Sequence, residues 1–240
     1  MSDAVVIVSA VRTPLGRLRG TLSAQTAPRL GAHVIREALA RGRIAPDSIG
    51  EVFMGCVLSA GQGQAPARQA ARGAGLADGV GATTVNKVCG SGMKAIMLGH
   101  DLIVAGSVDR VISGGMESMS NAPYLLAKAR GGYRTGHDRL FDHMMLDGLE
   151  DAYEPGRPMG DFGEMAAQAF QFSRADQDAY AMETLARARA AITGGDFRAE
   201  IAPIGEVADD EHAMKVSPEK IPLLKPAFRG DGTITAASAS

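Results

Sequence analysis

The sequence predicts an α/β protein built on a mostly parallel β-sheet that is covered by helices. Short apolar runs rich in β-branched residues alternate with helical segments rich in small residues, and glycine or proline marks most of the boundaries between them. This alternation continues over the first ~115 residues. Parallel strands need long crossover connections, and helical segments between the strands supply them. We therefore expect one α/β layer in this part of the chain.

Four strands and three helices make up the predicted layer. Each strand is a short apolar run that ends in a turn, and the strands are expected at residues 5–8, 51–58, 83–88 and 110–113. The 5–8 run is expected to be a buried strand. The helices carry apolar or small side chains at helical spacing, and they are expected at residues 28–41, 67–75 and 91–105.

The chain changes character after Asn121, where Gly, Arg, Asp and Met become frequent. A strong helical pattern follows from about residue 161 to 191, with an interruption near Ser173. Ser173 and Asp176 form an S-x-x-D stretch, which predicts a capping box at the start of the second helical run. The segment from residue 201 is strand-like. We therefore predict a boundary near residue 120 between the α/β domain (1–120) and this second region.

Composition excludes several classes of function. The net charge is −2, no stripe of Lys and Arg is interleaved with aromatic residues, and Trp is absent, so nucleic-acid binding is not expected. No apolar run approaches the length of a membrane span, and the first residues lack a basic, secretory-type start. The two cysteines have no paired spacing, which favours a reducing cytoplasm. No cluster of His and Cys predicts a metal site.

Cys89 is the main candidate for chemistry, in the stretch VNKVCGSGMKA (85–95). It lies where a predicted strand leads into a helix, and a helix start stabilises the thiolate that attacks carbonyl carbons. Gly90 and Gly92 would let backbone N–H groups approach the sulfur and an adjacent oxyanion. The alternative is that Cys89 is a small buried apolar residue. Cys56 lies within an apolar strand, and we interpret it as a packing residue.

A thiolate usually needs a basic partner, and none of the five histidines lies in a recognisable signature with a cysteine. The candidates are His33, His100, His137, His143 and His212.

Seven separate stretches resemble the thiolase family in the family's own order, from residue 5 to 240. They are VVIVSAVRTPLGR, GQGQAPARQAARGAGL, VNKVCGSGMKA, SGGMESMSNAPYLL, LDGLEDAY, SRADQDAYA and LKPAFRGDGTITAASAS. The stretch SGGMESMSNAPYLL is most similar to the acetyl-CoA acetyltransferases of this family. The resemblance implies the thiolase fold: an N-terminal βαβα half with a mostly parallel sheet (1–120), an inserted loop domain that binds CoA (121–230), and a return into the first domain (231–240).

The resemblance also implies an activity. Cys89 is expected to form an acetyl-enzyme thioester during the condensation of two acetyl-CoA to acetoacetyl-CoA, or in the reverse thiolysis. Three alternatives stay open: a 3-ketoacyl-CoA thiolase of β-oxidation with broader chain preference, a CoA- or lipid-binding module without turnover, and a related ketoacyl synthase. Fatty acid metabolism, a cytoplasmic homotetramer or dimer, and no cofactor besides the CoA substrates are the further implications.

The resemblance assigns substrate contacts by motif position. Ser240, at the end of TAASAS, matches the serine that touches the pantetheine arm of CoA. Ala236, Phe228, Leu149 and Met159 match other positions near the same channel, although ordinary packing is the alternative for these four.

Three departures from the family pattern bear on the prediction. Pro158 stands where many acetyl-CoA acetyltransferases have histidine, and an arginine that often faces the CoA phosphates is missing, so Lys215 or Lys220 is the expected substitute. The family's second half, which supplies a histidine, an asparagine and a second cysteine, is absent from this sequence. We therefore expect the 240-residue chain alone to be inactive and to expose the apolar face that packs on that half.

Overall fold

The computed structural model describes residues 4–239, which form two compact units. The first unit runs to residue 144 and includes 199–209, and the second comprises 145–198 and the residues from 210 onward. The bounds of these units differ from the predicted ones: residues 121–144 and 199–209 of the predicted loop domain fall in the first unit, and residues 231–239, predicted to return into the first domain, fall in the second.

The first unit contains a parallel sheet with interleaved helices. Its main elements, in chain order, are α1 (Ala27–Gly42), β1 (Glu51–Gly55), α2 (Pro66–Gly73), β2 (Gly81–Val85), α3 (Ser91–Val104), β3 (Val111–Gly115), β4 (Tyr124–Leu125) and β5 (Phe141–Asp142). The order β2-β1-β3 is parallel throughout, with Glu51 opposite Gly81 and Val111, whereas β4 and β5 form a short antiparallel pair. This architecture confirms the predicted α/β class.

The core of the first unit lies between β1 and the helices α1 and α2. Side chains alternate across a strand, so Val52 and Met54 point to the same face of β1, and both are fully buried. They belong to one apolar cluster with Ile35 and Leu39 of α1 and with the alanines of α2. Because alanine side chains are small, α1 and α2 pack closely over this face of the sheet.

Helix α3 packs against the opposite face of the sheet. Ser113 of β3 lies in register with Phe53, which alternates with the buried Val52 and Met54 and therefore points away from α1. Gly99 of α3 approaches Ser113 so closely that a Cβ at Gly99 would lie 2.3 Å from the Ser113 Oγ. The sheet is thus covered by helices on both faces, as predicted.

Two predicted strands are wrong. Residues 5–8 pair with no strand among the described residues, and Val6, Ile7 and Val8 are exposed although a buried strand was expected. A strand requires a neighbour for its backbone hydrogen bonds, and the apolar pattern alone does not supply one. Among residues 4–239, the segment 201–207 forms only two isolated bridges, a parallel one between Ile201 and Arg12 and an antiparallel one between Ile204 and Val207.

The second unit is mainly helical. It contains α4 (Met159–Ala169), α5 (Arg174–Gly194), α6 (Glu211–Lys215), a π-helical segment (Met145–Leu149) and a 3-10 segment (Pro218–Leu223). The predicted interruption of the long helix is confirmed at residues 170–173. The predicted capping box is also confirmed, because the Ser173 Oγ accepts a hydrogen bond from the Asp176 amide, while an Asp176 carboxylate oxygen accepts one from the Ser173 amide at 3.1 Å.

Candidate active site

Cys89 lies between the end of β2 at Val85 and the start of α3 at Ser91, which is the placement that the sequence predicts. Its side chain is exposed, so the alternative of a small buried apolar residue is wrong. The 14-residue helix α3 carries a partial positive charge at its N-terminal end. Cys89 directly precedes Gly90, the N-cap residue of this helix.

A network of short polar contacts fixes the turn that presents Cys89. The Asn86 Oδ1 accepts a hydrogen bond from the Val88 amide at 3.0 Å. The Ser91 Oγ accepts one from the Lys87 amide at 2.8 Å and donates one to the Val88 carbonyl at 2.6 Å. Val88 has φ at +48°, a left-handed conformation that a β-branched residue rarely adopts. The turn is therefore built from specific local contacts and is strained at the residue before the cysteine.

Glycines let the start of α3 lie directly against the ends of two strands. A Cβ at Gly55, the last residue of β1, would lie 2.7 Å from the Gly92 amide nitrogen. A Cβ at Gly115, the last residue of β3, would lie 3.4 Å from the Gly92 Cα. No side chain fits in the first of these gaps, so glycine at position 55 is required for the observed approach.

Cys89 lines a cavity of about 490 Å³ within the first unit. The cavity is mostly apolar, with walls from the segment before α1, from α1 itself, from the ends of β1 and β3, and from the start of α3. Both cysteines and Glu117 contribute to its lining, and no histidine does. A cavity of this size at the carboxyl ends of parallel strands is a typical place for a small-molecule site.

The histidines do not supply the basic partner that a reactive thiol needs. The His33 Nε2 lies 3.3 Å from the Ala202 carbonyl oxygen, and the His100 Nδ1 lies 3.2 Å from a carboxylate oxygen of Asp101. His143 is buried, with its Nε2 3.3 Å from the Ala60 amide. His137 lines a separate cavity with Lys128 and Asp138, and His212 belongs to α6.

Cys56 is buried, and its thiol donates to the Glu117 Oε1 at 3.6 Å. Burial, reinforced by the negative charge of Glu117, raises the pKa of the Cys56 thiol to about 12. The thiol therefore stays protonated at neutral pH and is a poor nucleophile. The interpretation of Cys56 as a packing residue agrees with this environment.

Four of the five predicted substrate contacts lie in the second unit, and Ser240 lies outside the described residues. Met159 is the first residue of α4, and the ring of Phe228 packs against its neighbour Gly160, where a Cβ would lie 2.2 Å from the ring. Leu149 ends the π-helical segment, and Ala236 is exposed. Met159 and Phe228 are thus brought close together.

A buried carboxylate holds the segment that leads to Ala236. The Glu164 side chain accepts hydrogen bonds from the Thr233 amide at 2.9 Å and from the Ile234 amide at 2.8 Å. Burial alone would raise the pKa of Glu164, but these hydrogen bonds and one from the Thr233 hydroxyl outweigh burial and hold that pKa below its ordinary value. The backbone at Thr233 and Ile234 is therefore held by an ionised side chain.

Within residues 4–239, no helix is both long and apolar enough to cross a bilayer. Across the same residues, no three His, Cys, Asp or Glu side chains gather as a metal site would require.

The profile of the family described as "Thiolase, N-terminal domain" matches residues 5–240. The chain belongs to the thiolase family. Proteins named acetyl-CoA acetyltransferase from Schizosaccharomyces pombe and Pseudomonas aeruginosa are 45% and 46% identical to it over 246 residues, and these matches cover 98% of this chain. The chain spans 62% of the length of each of these relatives.

The structure of a thiolase from Ascaris suum in complex with coenzyme A is similar to the described chain. Its TM-score is 0.93 and its sequence is 42% identical, and the match covers 98% of this chain and 62% of that one. Together with the family match, this similarity confirms the predicted thiolase fold.

Sequence reasoning from the thiolase resemblance missed Glu117. This carboxylate follows the end of β3 by two residues and reaches the chain after β1, some sixty residues earlier in the sequence. One signal points to it: a charged residue directly after a buried parallel strand lies at the edge of the sheet where sites form. The sequence gives no sign of which backbone groups it contacts.

Proposed function

We propose that this chain is the N-terminal part of an acyl-CoA C-acyltransferase that carries its acyl group on Cys89. The Cys89 thiolate attacks the thioester carbonyl carbon of acetyl-CoA, the bond from that carbon to the CoA sulfur breaks, and CoA leaves. A second acetyl-CoA loses a methyl proton to the acid/base cysteine that the thiolase resemblance places in the family's second half, and the resulting enolate attacks the acetyl-cysteine carbonyl. A carbon–carbon bond forms, acetoacetyl-CoA is released and the Cys89 thiolate is regenerated; thiolysis is the reverse sequence.

The placement of Cys89 carries this proposal. An exposed thiol beside the positive end of α3, on the wall of a cavity of about 490 Å³, combines a nucleophile with space for an acyl group. The names of the two acetyl-CoA acetyltransferase relatives agree with the reaction. A CoA-binding module without turnover would not need the strained and specifically hydrogen-bonded turn that exposes this cysteine.

The second unit is proposed to hold the CoA moiety, as the thiolase resemblance implies. The Ascaris suum thiolase is in complex with coenzyme A, which supports acyl-CoA binding. Ser240, Ala236, Phe228, Leu149 and Met159 are the proposed pantetheine contacts. Lys215 forms an ion pair with Glu211 at 2.5 Å, whereas Lys220 lies exposed in the 3-10 segment. We therefore favour Lys220 as the phosphate contact, and expect Lys220→Ala to raise the Michaelis constant for CoA more than Lys215→Ala does.

The 240-residue chain alone is proposed to be inactive. Among the residues that line the Cys89 cavity, none is a histidine, so no imidazole is placed to take the thiol proton. The thiolase resemblance assigns that role to the family's second half. A cytoplasmic location, a homodimeric or homotetrameric assembly, a role in fatty acid metabolism and independence of any cofactor besides the CoA substrates are further parts of the proposal.

Thiolysis assays on the whole protein test this function. We expect turnover of acetoacetyl-CoA to exceed that of a medium-chain 3-ketoacyl-CoA, and Cys89→Ala to lower kcat by at least about 10³-fold, since the nucleophile is removed. His100→Ala is the control, because His100 is exposed on the same helix and does not line the cavity. Faster turnover of the medium-chain substrate would favour the broader 3-ketoacyl-CoA thiolase. Full activity of Cys89→Ala would exclude both assignments.

A further inference from the structure

Glu117 binds the chain segment that follows β1. Its Oε2 accepts a hydrogen bond from the Val57 amide at 2.8 Å, and its Oε1 accepts one from the Leu58 amide at 3.1 Å. These two amides lie beyond the last paired residue of β1, where the sheet ladder ends at Gly55. The carboxylate thus replaces the strand partner that the backbone lacks at this point.

The Cys56 thiol completes the set of donors around this carboxylate. It lies 3.6 Å from the Glu117 Oε1, and it stays protonated, so it donates its hydrogen. The Gln62 side-chain amide approaches the Cys56 sulfur at 3.7 Å and donates to the Leu58 carbonyl at 2.6 Å. Residues 56–58 are therefore held by side chains from two different parts of the sequence.

The held segment forms part of the wall of the Cys89 cavity. Gly55, Cys56 and Val57 line it, as do Glu117 itself and the start of α3. The backbone on either side of this wall is fixed by the sheet, since the Cys56 amide donates to the Val85 carbonyl at 3.0 Å and the Met116 amide to the Gly55 carbonyl at 2.9 Å. Beyond the sheet, the Val57 and Leu58 amides donate to the Glu117 carboxylate instead of to a neighbouring strand.

We propose that Glu117 is a positioning residue for acyl transfer to Cys89, acting through the Cys56–Leu58 segment that its carboxylate holds. The expected effect of Glu117 on acylation rests on the proposed function, whereas its hydrogen bonds to this segment do not depend on that function. Glutamine at this position would present an N–H₂ group to donors that need an acceptor. The segment would then shift, and a displacement of about 1 Å beside a reacting group can slow a reaction by about 10²-fold.

Two measurements on the whole protein, with Glu117→Gln, separate this role from a structural one. The rate at which acetyl-CoA acetylates Cys89 should fall by about 10- to 100-fold, while alkylation of Cys89 by iodoacetamide, which needs an exposed thiolate but no bound CoA substrate, should be unchanged. Glu117→Asp keeps the charge and should restore part of the acetylation rate. Glu51→Gln is the matched control, because Glu51 begins β1, the strand that leads into the Cys56–Leu58 segment, and does not line the cavity.

The infrared S–H stretching band of Cys56, assigned by its loss in Cys56→Ala, reports the contact directly. It should move to higher frequency in Glu117→Gln because a neutral acceptor binds the thiol less strongly. An unmoved band, or acetylation at the wild-type rate, overturns the assignment, as does an equal loss of alkylation. If the wild-type protein itself forms no acetyl adduct, the proposed function fails instead, and the band still decides whether Glu117 holds Cys56.

Discussion

Val88 adopts its left-handed conformation immediately before the exposed cysteine. This conformation costs about 1–2 kcal/mol for a residue with a Cβ. Val88 is held there by two hydrogen bonds, one that its amide donates to the Asn86 Oδ1 and one that its carbonyl accepts from the Ser91 hydroxyl. Local backbone strain of this kind persists at functional sites when the surrounding contacts determine the conformation. In this chain the strained residue directly precedes Cys89.

Val88→Asn is expected to raise the free energy of unfolding by about 1 kcal/mol, because asparagine tolerates the left-handed region better than valine does. Urea unfolding at neutral pH measures the change. Val104→Asn is the matched control, since Val104 is also exposed but ends helix α3. No stabilisation in Val88→Asn, or the same gain in the control, would show that the φ of Val88 carries no strain.

Glu164 stabilises the fold through its ionised form, and this has a defined pH dependence. The pKa of Glu164 is held below its ordinary value in the folded chain, so the folded state stabilises the carboxylate relative to the carboxylic acid. The stabilisation is complete above the ordinary pKa, near 4.5, and it is lost as the pH falls through the lowered pKa of the folded state.

Glu164→Gln should lower the free energy of unfolding by about 2 kcal/mol at pH 7, because the Thr233 and Ile234 amides lose a charged acceptor. The difference in the free energy of unfolding between variant and wild type should shrink below the ordinary pKa of Glu164, because the wild-type carboxylate becomes protonated there. Denaturant unfolding at pH 7 and at pH values below 4.5 checks both statements. Glu183→Gln, which changes an exposed carboxylate on α5, should cost little at either pH. A difference that does not depend on pH would contradict the role of the charge.

The start of α3 and the end of β1 form one tightly packed joint. Gly55→Ala should lower the free energy of unfolding by about 1–3 kcal/mol, because the new Cβ would lie 2.7 Å from backbone atoms of Ser91 and Gly92. Gly114→Ala is the matched control in the neighbouring strand, where the nearest atom would be the Met54 sulfur at an ordinary 3.5 Å. Thermal or urea unfolding that ranks the two variants equally would mean that the joint tolerates a side chain.

The elements that sequence reasoning located correctly are those with a local signal. The helices α1, α2 and α3 and the strands β1, β2 and β3 were identified from periodicity and from glycine and proline at their boundaries, with strand ends displaced by up to three residues. The 5–8 run has the composition of a strand but lacks a partner among the described residues. Composition encodes the tendency to be a strand, whereas pairing depends on a second segment.

In the candidate site, too, the sequence predicted only the residue that has a local signal. Cys89 was located because its signal, a cysteine followed by glycines at a helix start, is contained in five residues. Glu117 was missed because its role arises from contacts with Val57 and Leu58, which are distant in sequence. The placement of the histidines away from the cavity likewise follows from the fold and not from their neighbours in the chain.

The chain as described exposes an unusual amount of apolar surface. Val6, Ile7 and Val8 are exposed in the unpaired segment, and α3 carries a second exposed group on one face, formed by Met93, Ile96, Met97 and Val104. The exposed face of a helix in a globular protein is normally polar. This surface agrees with the expectation that a second thiolase half covers it in the whole protein.

The chain of residues 1–240 should therefore bind the dye ANS and self-associate as its concentration rises. The double variant Met93→Lys with Met97→Lys should reduce both effects, because it places charges on the exposed face of α3. Tyr180→Lys is the matched control, since Tyr180 is equally exposed but belongs to α5. Dye fluorescence and sedimentation measure the two effects. A monomer that binds no dye would contradict the prediction of an uncovered apolar face.

Peptide-level mass spectrometry of the whole protein after mixing with acetyl-CoA tests whether Cys89 carries the acyl group. One acetyl group should appear on the peptide that contains Cys89, disappear when free CoA is added, and be absent from the peptide that contains Cys56. An unmodified Cys89, or an acetyl group found only elsewhere, would contradict the proposed mechanism.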